Sequence, residues 1–107
     1  MTDGIIQPDS ARGKALGFTS DRFSGWLWKE PGAVIISFIE SRQRGNFRDL
    51  VHRIHAKGWT VKVPTPLGRM QKIVRKNGYR RTVEPLSDKH PEPCEVWRLA
   101  PPAQQSR

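Results

Sequence analysis

Residues 33–40 read Ala-Val-Ile-Ile-Ser-Phe-Ile-Glu, and no other stretch limits the fold as strongly. Alternate side chains of an extended chain point to opposite faces. Val34, Ile36 and Phe38 therefore belong to one face, Ile35 and Ile39 to the other. A strand that is apolar on both sides needs cover above and below. The run is predicted as a central strand in a layered domain.

Its flanks supply the rest of the order. Gly25-Trp26-Leu27-Trp28-Lys29 alternates aromatics, and Glu30-Pro31-Gly32 supplies turn chemistry, so 25–40 reads as a β-hairpin with both tryptophans packing on one face. After Gly45 the apolar period lengthens: Phe47, Leu50, Val51 and Ile54 recur at helical spacing and Gly58 stops them. Asn46 is the expected N-cap, with Asp49 in the first turn. Trp59, Val61 and Val63 alternate as a further strand. Thr65 and Pro66 are expected to open a second helix carrying Leu67, Met70, Ile73 and Val74, closed by Gly78. A strand from Tyr79 to about Val83, a Pro- and charge-rich loop over 84–93, and a strand from Cys94 to Leu99 complete the chain. The expected class is α/β (α+β): a mixed, mainly antiparallel sheet with two helices in the order β-β-α-β-α-β-β. Residues 1–22 are read as a poorly ordered or short-element extension, 23–99 as the domain, and 100–107 as a disordered tail.

Charge narrows the partners. The formal charge is +9, and from Arg42 to Arg81 there are twelve Lys/Arg against one acid, Asp49. Such a field attracts nucleic acid, an acidic partner or a phosphate-rich small molecule, or else simply solvates a face. The one cysteine, Cys94, rules out an internal disulfide and suits a reducing, cytoplasmic setting. No apolar run approaches the roughly 20 residues of a membrane span, and MTDGIIQPDS lacks the pattern of a signal peptide.

The stretch Arg42-Gln43-Arg44-Gly45-Asn46-Phe47-Arg48 puts a glycine and three arginines where an apolar strand meets a helix N-terminus, a natural place for an anion. Together with "RMQKIVRKNGYRRT", whose Gly78-Tyr79 form a Gly-aromatic pair before a strand, it resembles the C-terminal core of GNAT-type N-acyltransferases over about 75 residues. In that family a Q/R-x-x-G-x-G/A loop wraps the pyrophosphate of acyl-coenzyme A. The resemblance implies binding of acetyl-CoA or CoA by Ile39, Ser41, Arg42, Gln43, Arg44, Gly45, Asn46, Phe47 and Arg48, with Arg69, Lys72 and Lys76 near the adenosine 3′-phosphate. It implies acetyl transfer to an amine, with Glu40 as the base, in a protein of bacterial or phage type. Three departures accompany it: Phe47 replaces a small residue, Val74 stands where many members have a tyrosine, and Leu67 where an asparagine often sits. Residues 1–22 have no room for the usual acceptor-binding half, which leaves the acceptor unnamed and a homodimer open as its source.

Two other classes compete: a coenzyme-binding scaffold without turnover, and a basic nucleic-acid binder using residues 42–81. His52 and His55, at i and i+3, have metal-ligand spacing but no accompanying Cys, Asp or Glu cluster, so they are read as surface histidines and no metal is expected. Glu40 can equally pair with a neighbouring arginine.

Overall fold

The computed structural model describes residues 4–87 and 90–102. Nine elements follow one another: β1 (Gly4–Ile6), α1 (Ala11–Ala15), β2 (Phe23–Glu30), β3 (Ala33–Ser41), α2 (Asn46–Ala56), β4 (Thr60–Pro64), α3 (Arg69–Lys76), β5 (Arg80–Ser87) and β6 (His90–Leu99). The strands form one six-stranded sheet in the order β1-β2-β3-β4-β6-β5. Every neighbouring pair is antiparallel except β3–β4. The fold is thus mixed α+β with a mostly antiparallel sheet, as expected, but the described residues carry three helices, not two.

The third helix comes from the N-terminal segment. Ser10 caps α1, its Oγ accepting from the Gly13 amide at 3.0 Å. Such a cap lets a single helical turn form in so short a stretch. The turn delivers Leu16 and Phe18 to the core, where they are fully buried with Ile6. Phe18 meets Phe23 at 5.3 Å between ring centroids. Residues 4–22 therefore complete the core, a part that widely spaced apolar residues with no period do not advertise.

β3 sits centrally, with β2 on one side and β4 on the other. Register places Val34 beside Lys29 and Val61, and Ile35 beside Trp28 and Lys62. One face, with Leu27, Val34, Ile36, Val61 and Val63, is buried in the main core. Leu50, Val51 and Ile54 of α2 join that cluster, and α2 packs on β3 and β4. Lys29 also lies on this face, with its ammonium donating to the Glu30 carbonyl at 2.6 Å and standing 4.5 Å from the centroid of Trp59. On the opposite face Lys62 is only 3% exposed. Its ammonium pairs with Glu30 at 3.4 Å and donates to the Leu86 carbonyl at 3.0 Å, so the far end of β5 reaches back over this face.

Several local expectations are corrected. The hairpin β2–β3 carries a bulge between Trp26 and Trp28. Leu27 takes the core position, Trp26 stays 41% exposed and Trp28 is half-buried. Gly45, not Asn46, is the N-cap of α2, and Asn46 instead donates from Nδ2 to the Arg22 carbonyl at 3.2 Å. Thr65 does not cap α3: the helix begins at Arg69 after Gly68, and Leu67 is 78% exposed. Much of the expected 84–93 loop is strand, with Glu84 facing Cys94 and Pro85 facing Pro93. Pro101, in the expected tail, is buried; residues 103–107, like the Phe38 side chain, lie outside the described residues.

Phe18→Ala tests whether the N-terminal segment belongs to the core. Urea unfolding is expected to show a loss of about 3–5 kcal/mol, the usual range for a buried phenylalanine. A loss below about 1 kcal/mol, typical of a surface change, would mean that the segment is peripheral.

Candidate functional site: the groove beside β3

The two strands that pair in parallel do so over three positions only, Ala33–Thr60, Val34–Val61 and Ile35–Lys62. Beyond them β3 runs on to Ser41, while β4 turns towards β6, Val63 facing Trp97 and Pro64 facing Val96. Two local causes are visible. Pro64 has no N–H to offer a ladder. Thr65, in the left-handed region at φ 38°, donates its amide to the Glu95 carbonyl at 2.7 Å. The second half of β3 is therefore left without a strand on its β4 side.

A groove follows that open edge. Its inner part lies between Ile36, Ser37 and Ile39 of β3 and Val63, Pro64 and Met70 across the gap. It continues into a 410 Å³ depression bordered by Ile39, Glu40, Ser41, Phe47, Arg69 and Ile73. A second cleft, of 440 Å³, runs between α2 and α3, bordered by Gly45, Arg48, His52, His55, Asn77 and Tyr79 among others. Phe47 and Ile73 border both. Phe47 packs against the core as their common wall, while Val74 is fully buried beneath α3.

The mouth of α2 has the makings of an anion cradle. Gly45 has φ 93°, a conformation costly for any L side chain, and a Cβ there would meet nothing within 4 Å. No side chain caps the helix, and the amides of Phe47 and Arg48 have no acceptor among the described residues. The loop before it is held from behind. Arg42 donates through its amide to the Arg22 carbonyl at 2.7 Å and through Nε to the Ser20 carbonyl at 2.9 Å. Ser41 Oγ donates to the Gln43 carbonyl at 2.7 Å. Asp49 accepts from Arg22 at 3.1 Å and from Arg53 at 2.9 Å.

The sequence-predicted residues consequently divide. Ile39, Glu40, Ser41 and Phe47 border the groove; Gly45, Phe47 and Arg48 border the cleft between the helices. Arg42 is turned to the 19–22 segment. Gln43, Arg44 and Lys72 are exposed and border neither cavity, and Asn46 is buried behind the loop. Arg44, Arg48 and Glu40 form no ion pair among the described residues. Sequence reasoning passed over Arg22, Ser20 and Asp49 as the loop's supports, since contacts across more than twenty residues leave no local signal.

Two alternatives can be placed. No group of three or more His, Cys, Asp or Glu among the described residues can hold a metal, and His55 Nε2 lies 2.9 Å from the Leu99 carbonyl. No helix among them is long and apolar enough to cross a membrane. No protein family, curated protein or solved structure matches the chain.

Tyr79, the one tyrosine, borders the interhelical cleft and not the open edge of β3. Burial raises its pKa well above the ordinary value of 10. The unfolded chain therefore releases this proton first, and stability falls as pH climbs past about 10. In an alkaline titration, tyrosine absorbance and circular dichroism are expected to change in one joint transition. Ionisation near pH 10 with the fold intact would show an accessible phenol.

Proposed function

We propose that this protein is a shortened, GNAT-like acyl-coenzyme A-binding protein that takes acetyl-CoA or CoA and passes the acetyl group to an amine. One observation carries the reading: the parallel pair β3–β4 parts after three positions, and the groove along the gap ends against Phe47 in the first turn of α2, where the Phe47 and Arg48 amides have no acceptor among the described residues. An extended pantetheine chain, with its two amides, can pair with the open edge of β3 as an added strand would. The diphosphate then falls at the Gly45–Arg48 mouth, where amides, helix dipole and the side chains of Arg44 and Arg48 meet it. Phe47, half-buried between the two clefts, sets the path from one to the other.

For the transfer itself, the amine must lose a proton as its nitrogen attacks the thioester carbonyl. Glu40, exposed, is the carboxylate among the groove's lining residues available for that task. The departing thiolate, the conjugate base of a thiol of pKa about 8.5, is a good leaving group, so a protonating group is a lesser requirement. A second reading, a binding scaffold without turnover, draws on the fully buried Val74 and exposed Leu67, neither of which offers a polar group to the reaction.

Calorimetry with coenzyme A tests the binding. Gly45→Glu is expected to abolish it, by placing a carboxylate beside the diphosphate, while Gly45→Ala, which shares the backbone strain, retains it. Exchanging both Arg44 and Arg48 for Gln is expected to weaken binding by tenfold or more, as charged hydrogen bonds of about 1.5–3 kcal/mol are lost. Undiminished affinity in Gly45→Glu sinks the cradle. Thiol release from acetyl-CoA with an amine present then separates the readings: Glu40→Gln slows it without changing affinity if the protein is an enzyme, and the wild type releases none if it is a scaffold.

A further inference from the structure

α3 is an eight-residue helix with four cations, Arg69, Lys72, Arg75 and Lys76, and no acid. Around the helix, at about 100° per residue, Lys72 and Lys76 stand roughly 160° from the buried Val74. Lys72, Arg75 and Lys76 are exposed and border neither cavity; Arg69 alone reaches the groove. Among the described residues no acid forms an ion pair with them. The chain has no Asp or Glu from Leu50 to Val83, and Glu30, Asp49, Glu84 and Glu95 are engaged with Lys62, Arg22, Arg53, Arg98 and Arg81.

Solubility explains this strip poorly. Like charges three and four residues apart destabilise a helix, and one this short is marginal on its own. The dipole favours Arg75 and Lys76 in the last turn but opposes Arg69 in the first. Interleaved acids would solvate the face equally well without the repulsion.

We propose that the outer face of α3 docks the phosphate backbone of a nucleic acid, as a second binding surface distinct from the groove and independent of the coenzyme reading. Three features favour this partner. At about 1.5 Å of rise per residue, Arg69, Lys72 and Arg75 stand about 4.5 Å apart along the axis with Lys76 one step on, a spacing suited to successive phosphates. The strip has no aromatic side chain to stack a base, so it reads backbone and not sequence. Met70, Ile73 and Val74, the apolar side of α3, are turned inward to the clefts and core, which leaves no apolar face to enter a lipid surface.

Anisotropy with a labelled DNA duplex of roughly 20 base pairs, repeated with RNA of the same sequence, tests the proposal. Four phosphate contacts give a log–log salt slope of about −3.6 on DNA, about a hundredfold loss of affinity between 50 and 200 mM salt. Exchanging Lys72, Arg75 and Lys76 together for Gln is expected to cut the slope to about −0.9, and Lys14→Gln, on α1, to leave it near its original value. Circular dichroism confirms the fold of each variant. The proposal is overturned if the triple variant keeps wild-type affinity, if saturating coenzyme A displaces the duplex, or if polyglutamate or anionic vesicles bind as tightly as nucleic acid. Displacement by coenzyme A would leave the groove reading standing and remove only this one.

Discussion

The structure turns on a ladder that stops. β3 is held on both edges for its first three residues and on one edge for the rest. Had β4 stayed in register to Val63 and beyond, the sheet would be continuous and the groove absent. Pro64 withholds a donor, and the Thr65 amide goes to β6, so β4 is drawn away by its other neighbour. The same departure sets where α3 begins. With Thr65 and Gly68 both in positive-φ conformations, the chain turns sharply and brings Arg69 and Met70 back to the groove.

Around this gap the charges are arranged unevenly. Lys62, Arg98 and Arg80 face one another across β4, β6 and β5, an unfavourable row of like charges. Glu30 answers Lys62, and Glu84 holds Arg98 with two hydrogen bonds of 2.8 and 3.0 Å. The Arg98 guanidinium keeps Glu84 below the usual carboxylate range. Glu30 and Glu84 thus answer the cations of the sheet face that carries Lys62 and Arg98. Breaking the buried Lys62–Glu30 pair would strand a charge, which is why such a pair is retained even when it adds little net stability.

What the sequence disclosed depended on period. β3 and α2 were legible because their apolar residues repeat at two and near 3.6, with Gly45 marking the change. Ile6, Leu16 and Phe18 escaped notice because their elements are too short to show a repeat, and their value lies in distant partners. Both β5 and β6 are expected from their cores, at Tyr79–Val83 and Cys94–Leu99, but their extensions into 84–93 read as loop because prolines signal loops. Here Pro85 lies on an edge strand facing Pro93, with a register shift just beyond it, and Pro91 and Pro93 precede the point where β4 joins β6, so the disturbance is confined to the β5–β6 ladder. At the site, the groove's borders near Ile39, Glu40 and Ser41 followed from the strand, but Arg42 did not behave as its neighbours did. Its guanidinium is drawn to the Ser20 carbonyl, a partner 22 residues away that no local pattern announces.

That last tether has a mechanical corollary. Residues 20–22 hold the loop at Arg42 and Asn46, and Arg22 reaches through Asp49 to Arg53 on α2. The helix mouth is thus braced against the segment that also seals the core with Phe18. If docking of the N-terminal segment favours an occupant of the mouth, the occupant favours docking by the same factor. A guest on one side of this small domain and the chain's first elements on the other would then act as halves of a single clasp.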